Sequence, residues 1–138
     1  MPDWLVLSLF AAGFVAVLSA KAHRNTQRIV ARTLQRRPNP TESQFVASLS
    51  RDVNPETAEF VWFAIIEYLT RWQLTPHPDD HLFTDLPIEE NDPTLDWMPR
   101  YARLYGADWK AWSPWPDGWR LTVRNFARWL ELGLAQQS

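Results

Sequence analysis

WLVLSLFAAGFVAVLSA, residues 4–20, carries no charge and no proline, and KAHRNTQRIVARTLQRR, residues 21–37, carries six basic residues and no acid. Seventeen helical residues rise about 26 Å at roughly 1.5 Å each. That is just short of the hydrocarbon core of about 30 Å, and Lys21 can snorkel to extend the fit. Trp4 sits where an interfacial aromatic belongs. The first stretch therefore reads as a transmembrane helix. Two other readings compete. Ala20-Lys21-Ala22 mimics a signal-peptide cleavage site, although Met1, Pro2 and Asp3 supply no basic n-region. A buried core helix is the other, because the span is near the lower length limit.

Lysine and arginine asymmetry sets orientation. None precedes the span, and Lys21, Arg24, Arg28, Arg32, Arg36 and Arg37 follow it. The expected topology is a single pass through the inner, cytoplasmic membrane, with the N-terminus outside and the C-terminal domain in the cytoplasm. Trp4, Lys21, Arg24 and Arg28 are the expected anchor residues. Ser8, Ala12, Ala16 and Ala20 recur every four residues. Such a small-residue stripe lets two helices approach closely, which allows a homodimer contact. The bland alternative is that alanine and serine are common in spans.

The helical pattern continues past the span. Arg24, Arg28, Arg32 and Arg36 share one face, with Ile29, Val30 and Leu34 opposite. This stretch is either a continuous stalk or a basic helix lying on the membrane surface. Arg37-Pro38-Asn39-Pro40 ends it, since proline cannot continue a helix. The expected division is an anchor at 1–22, a basic juxtamembrane helix and linker at 23–40, and a small helical domain at 41–138.

That domain is expected to be all-α, with three or four helices. Thr41 and Gln44 form a capping-box signature for a helix over 42–50. Asn54-Pro55-Glu56 combines a cap residue, proline at the first helical position and an acid near the positive end of the dipole. Ala58, Val61, Trp62, Ile65, Leu69 and Trp72 then repeat at helical spacing, which predicts a helix over 55–72. Residues 74–92 are too rich in proline and acid for a regular element. Leu74, Leu82, Phe83, Leu86 and Ile88 are expected to pin that long loop to the core. Asp92-Pro93 opens a further helix, kinked or delayed by Pro99 and closed by Gly106. A last helix over 117–134 is expected to turn Trp119, Val123, Phe126, Ala127 and Leu130 inward and Arg120, Arg124 and Arg128 outward.

The net charge of −2 hides a segregation. Residues 38–99 hold twelve acids and two basic residues, which argues against a nucleic-acid partner. The chain has no cysteine, so disulfides and thiolate metal sites are excluded. His77, Asp79, Asp80 and His81 fall within five residues, but their spacing fits no zinc motif. A solvated loop with Asp79 or Asp80 capping a turn is expected instead. Asp85, Glu89, Glu90, Asp92 and Asp96 offer paired carboxylates, yet no partner nucleophile, glycine-rich phosphate loop or Gly-x-Ser-x-Gly elbow accompanies them. The chain is therefore expected not to be an enzyme and to need no cofactor.

Two surfaces remain as candidates for binding a protein partner. The acids between Thr75 and Met98, notably Asp85, Glu89, Glu90 and Asp92, make a negative patch. It either pairs internally with Arg120, Arg124 and Arg128 or meets a basic partner. Trp109, Trp112 and Trp115 recur every three residues beside Pro114 and Pro116. In polyproline geometry they would share an exposed ridge; otherwise they fold back and seal the core.

The loop with Leu82-Phe83 and Asp85-Leu86, the helix opening near Asp92, and the last helix with Thr122-Val123, Phe126 and Trp129-Leu130 resemble acyl carrier proteins. The resemblance is closer to small bacterial proteins of uncharacterised function with a carrier-like fold that lack the modified serine. It covers residues 55–131 and implies a helical carrier-like fold. Asn91-Asp92-Pro93-Thr94-Leu95 stands where carriers hold the serine that takes phosphopantetheine, with Thr94 in its place. Carrier chemistry is therefore not expected to follow from the fold. The function expected from the sequence is a membrane-anchored, non-catalytic interaction domain. A toxin-neutralising immunity protein and an acyl-carrier-like protein are the alternatives.

Overall fold

The computed structural model describes residues 3–137. Met1 and Pro2, which enter the orientation argument, lie outside the described residues, as does Ser138. Among the described residues the chain is all-helical: α1 (Asp3–Arg36), α2 (Glu42–Leu49), α3 (Pro55–Leu69), α4 (Met98–Leu104) and α5 (Val123–Ala135). The only strand-like pairing among them is one isolated bridge between His81 and Thr122.

α1 is a single helix of 34 residues. Its apolar part is long and hydrophobic enough to cross a membrane, and none of that window is buried. The first half thus extends away from the domain. The second half does not. Val30 and Thr33 are buried, so the last turns of the basic stretch are part of the domain's packing.

α2 starts as its sequence dictates. The Thr41 hydroxyl accepts from Gln44 N–H, and the Gln44 side chain accepts from Thr41 N–H. This reciprocal cap satisfies two otherwise free donors. α3 begins at Asn54-Pro55, but the Asn54 side chain makes no capping bond. The Asn54 backbone N–H donates to the Glu131 carboxylate of α5 at 3.1 Å. α3 is shorter than its periodicity predicts. It stops at Leu69 and tightens into a 3₁₀ turn over Thr70–Trp72. Gln73 then takes a left-handed conformation at φ 54°.

The segment after Asp92 also departs from expectation. Asp92 is helical in φ and ψ and does not cap. Pro93–Trp97 forms a wide π-type turn in which Met98 N–H reaches Pro93 C=O. Pro99 supplies the reason: it has no N–H for the Leu95 carbonyl, and its ring would press on that carbonyl. Widening the preceding turn relieves the clash, and α4 follows. Gly106 ends it at φ +63°, as the sequence suggests.

α5 starts six residues later than predicted, at Val123 rather than 117. Gly118 lies at φ +80°, and residues up to Thr122 run extended or turned. Thr122 is the true cap, accepting from Asn125 N–H at 3.1 Å.

α3 packs on α2 and α5, and α4 packs on α5. Phe45, Leu49, Val61, Ile65, Leu69, Trp97, Tyr101, Val123 and Leu130 fill the centre. Each large apolar side chain fully buried there contributes about 1.5–3 kcal/mol. Leu74, Leu82, Leu86 and Ile88 are buried as well, and Phe83 packs beside them. The long loop is therefore pinned to the core at every expected position. A Cβ on Gly133 would overlap the indole of Trp112, so α5 and the tryptophan-rich connection meet only because that position is glycine.

Candidate functional site

The site that organises this molecule lies where α1 ends against the loop 75–85. The loop sequence His77-Pro78-Asp79-Asp80 closes a tight turn, with Asp80 N–H on His77 C=O at 3.0 Å and His77 N–H on Asp80 Oδ2 at 2.9 Å. That turn drives Asp80 inward, where it is 1% exposed. A carboxylate so deeply buried is costly unless paired and hydrogen-bonded. Arg37 supplies the pairing as a fork, Nε to Oδ1 at 3.0 Å and Nη2 to Oδ2 at 2.5 Å. Such bidentate contacts add geometric specificity to charge. The same Nη2 reaches Thr75 C=O at 2.9 Å. Arg36 approaches Asp80 more loosely, at 3.4 Å.

Asp80 faces a second way through its backbone. Its carbonyl accepts Val123 N–H at 3.0 Å, and the Pro78 carbonyl accepts Arg124 N–H at 2.8 Å. These are first-turn donors of α5, which otherwise have no intrahelical partner. One turn of loop therefore clamps the end of α1 with a carboxylate and caps the start of α5 with carbonyls.

Further clasps run back along α1. Arg36 Nη1 donates to Asp85 Oδ1 at 2.8 Å, Thr33 Oγ1 to Asp85 C=O at 2.5 Å, and Arg32 Nη2 to Thr84 C=O at 2.6 Å. His81 N–H donates to Asp85 Oδ2 at 2.7 Å. Burial pushes the Asp85 carboxyl up, but the bonds from Arg36 and His81 outweigh it and hold it below the usual carboxylate range. The Asp85 hydrogen bond in turn raises Arg36.

The expected acidic surface is largely neutralised inside the fold. Asp79 pairs with Arg124 at 3.0 Å, and Asp52 pairs with the same guanidinium at 2.5 Å. Burial lowers the Arg124 pKa, but these two bonds outweigh it and the net direction is up. Arg124 also reaches the Ser48 carbonyl at 3.2 Å, so it bridges α5 to α2 instead of lying on an outer face. Asp96 accepts from Tyr68 at 2.6 Å and from Arg100 at 2.7 Å, which brings it below its ordinary range despite burial. Burial, reinforced by that bond to Asp96, pushes the Tyr68 phenol up to about 12. Arg128 takes no carboxylate among the described residues; its guanidinium lies 4.3 Å from the Trp119 ring centroid.

Of the acids proposed as an interaction patch, Asp85 belongs to the clasp. Asp92 is half-buried and accepts Glu89 N–H at 2.9 Å. Glu89 and Glu90 are exposed. Asp80 caps a turn, as one of the two residues expected to, but the expectation that it is solvated is corrected: its turn faces the basic end of α1, and pairing makes burial tolerable. The described residues contain no group of three or more metal-ligating side chains.

The tryptophans do not form one exposed ridge. Trp112 is buried, while Trp109 and Trp115 are half-buried against the core. Trp112 meets Trp129 edge to face at 5.6 Å, and Trp115 meets Trp119 at 6.0 Å. Trp115 and Trp129 line a groove of about 230 Å³ with Phe83, Met98 and Phe126, and Glu90 and Thr94 sit at its edge. Thr94 itself is exposed. Trp4, Lys21, Arg24 and Arg28 are exposed on α1.

Sequence reasoning missed Thr33 altogether, and it named Arg37 and Asp80 without pairing them. Their signal was a run of arginines ending at a proline and, forty residues on, a run of acids of matching charge. No family model, curated protein or solved structure matches this chain.

Proposed function

We propose that this protein is a single-pass, membrane-anchored, non-catalytic interaction domain, displayed on the cytoplasmic face and held rigidly to its anchor. One observation carries the reading: no residue of the apolar part of α1 is buried, while the last turns of the same helix, at Val30 and Thr33, are built into the domain. An apolar stretch of that length, left uncovered by its own fold, calls for an apolar solvent. The basic residues beside it suit an anionic inner leaflet. The ionised, arginine-bound state of Asp85 suits a structural pair better than a general acid, which needs a pKa near the working pH. Glu89 and Glu90 remain exposed for a basic protein partner, next to the aromatic groove.

The test is fractionation. The full chain should stay in the membrane pellet after alkaline carbonate washing, and a reporter fused after Ser138 should be active only in the cytoplasm. A chain that remains soluble and monodisperse without detergent would end this reading. Affinity capture from solubilised membranes, repeated with Glu89→Lys and Glu90→Lys, then tests the partner face: a partner retained undiminished places the contact elsewhere.

A carrier-like role has one observation in its favour, the exposed Thr94 beside an apolar groove. Incubation with a phosphopantetheinyl transferase and coenzyme A should leave the mass unchanged on the leading reading. A mass gain at Thr94 would replace it.

A further inference from the structure

The clasp fixes where the domain sits relative to the end of the span. The apolar stretch ends at Ala20, and three residues later the His23 ring lies 5.3 Å from the Trp72 ring. Three helical residues advance about 4.5 Å. Trp72 is therefore level with the first turn of α1 beyond the apolar segment, alongside Lys21 and Arg24. Beside it, the Arg71 guanidinium lies 4.8 Å from the Trp72 ring centroid, and Arg71 is exposed.

This tip is held from both sides. Gln73, the one non-glycine residue at positive φ among the described residues, reverses the chain directly after Trp72. A left-handed conformation costs such a residue about 1 kcal/mol, so it needs support. Asn39, just past the end of α1, gives it: Nδ2 donates to Gln73 C=O at 2.9 Å and Oδ1 accepts Thr75 N–H at 3.0 Å. From His23 to Arg36 is thirteen residues, about 20 Å of helix. The domain therefore touches α1 at both ends of that length, through the His23–Trp72 ring contact and the Arg36 and Arg37 pairs.

We propose that the Arg71–Trp72 tip is a second membrane contact, seated among anionic phospholipid headgroups beside the emerging α1. Tryptophan belongs at this depth because its ring is apolar with one polar edge. Arg71, Lys21, Arg24 and Arg28 form the cationic rim that faces the phosphates. The domain then stands against the leaflet at a fixed angle and does not hang from a flexible tether. This inference rests on α1 spanning the bilayer.

The chain has no cysteine, so single cysteines can carry spin labels. Phe14→Cys reports the span, Thr70→Cys the tip, and Ser43→Cys the exposed surface beyond the far end of α1. The full chain is reconstituted in phosphatidylglycerol-containing vesicles, and collisions with oxygen and with a water-soluble nickel chelate are measured. The expected result is an oxygen-rich Phe14 label, a Thr70 label several-fold less accessible to nickel than Ser43, and loss of that protection in Arg71→Glu. Equal nickel access at Thr70 and Ser43, with Phe14 still in lipid, overturns the proposal while leaving the anchor intact. Protection that survives Arg71→Glu also overturns it. A water-exposed Phe14 label instead removes the anchor itself.

Discussion

Arg24 and Arg28 share a helix face with Arg32 and Arg36, yet the two pairs have different fates. Among the described residues Arg24 and Arg28 make no ion pair, whereas Arg32 and Arg36 bind the loop at Thr84 and Asp85. Arg37, one residue further, closes on Asp80. The same side chain on the same helix is thus a free surface charge near the apolar stretch and a structural clamp about 12 Å further along, eight residues at 1.5 Å each. The difference teaches that a basic run after a hydrophobic helix need not serve the membrane throughout. Part of it can hold a domain to the helix.

Removing the strongest clamp tests this division hardest. Arg37→Ala leaves Asp80 buried with only the looser Arg36 contact and one backbone N–H. Loss of a buried partner typically costs about 3–5 kcal/mol. The domain's melting temperature should fall sharply, and protease should gain access at residues 37–41. An Arg37→Ala domain as stable as wild type would break the comparison.

Acid should loosen the same junction by a smaller amount. Asp85 titrates below its ordinary value in the folded state. Its contribution is therefore present above the unfolded carboxylate pKa of about 4 and is lost as pH falls through the lower folded value. Thermal melts from neutral pH downward should show stability dropping below about pH 4. Asp85→Asn should start less stable and slope less in that window. Equal slopes would remove Asp85 from the clasp.

Thr33→Val should cost about 1 kcal/mol, since the shape is kept and one buried hydroxyl bond to Asp85 is lost. Chemical denaturation measures it, and an unchanged midpoint would show that the bond adds nothing. The smallest stability effect belongs to Arg24→Ala with Arg28→Ala. It should leave the domain's unfolding within about 0.5 kcal/mol of wild type. Membrane affinity should fall in anionic vesicles, by about 1 kcal/mol per charge removed. Vesicle flotation of a chain truncated within the span would read that affinity, and a destabilised domain would show these arginines to be structural after all.

Local signals in the chain were good guides wherever the physics was local. The Thr41–Gln44 box, the Asn54-Pro55 start, the Gly106 stop and the loop anchors Leu74, Leu82 and Leu86 all stand where their spacing puts them. Periodicity misjudged the start of α5, because Trp119 fits an apolar register but Gly118 and the extended chain to Thr122 hold it off the helix. It placed the end of the helical run at Trp72 correctly but missed that the last turn, over Thr70–Trp72, tightens to 3₁₀ before Gln73 reverses the chain. The candidate site was less legible. The acids were visible as a patch, but their partners were not: Asp85 and Asp80 meet α1, while Asp79 meets Arg124.

The sequence by itself determined the helical class, the uncharged stretch at 4–20, the basic face that follows and the apolar positions of each helix. These depend on hydrogen bonds and side-chain repeats acting within a few residues. Only the tertiary structure decided which arginines stay free and which are clamps. Arg37 and Asp80 are separated by 43 positions, and nothing in local spacing selects one partner over another at that range. The choice is made by the loop 74–88, whose leucines are pulled into the core and carry Asp80 to the end of α1. Burial then makes the pairing count, because breaking a buried pair typically costs about 3–5 kcal/mol.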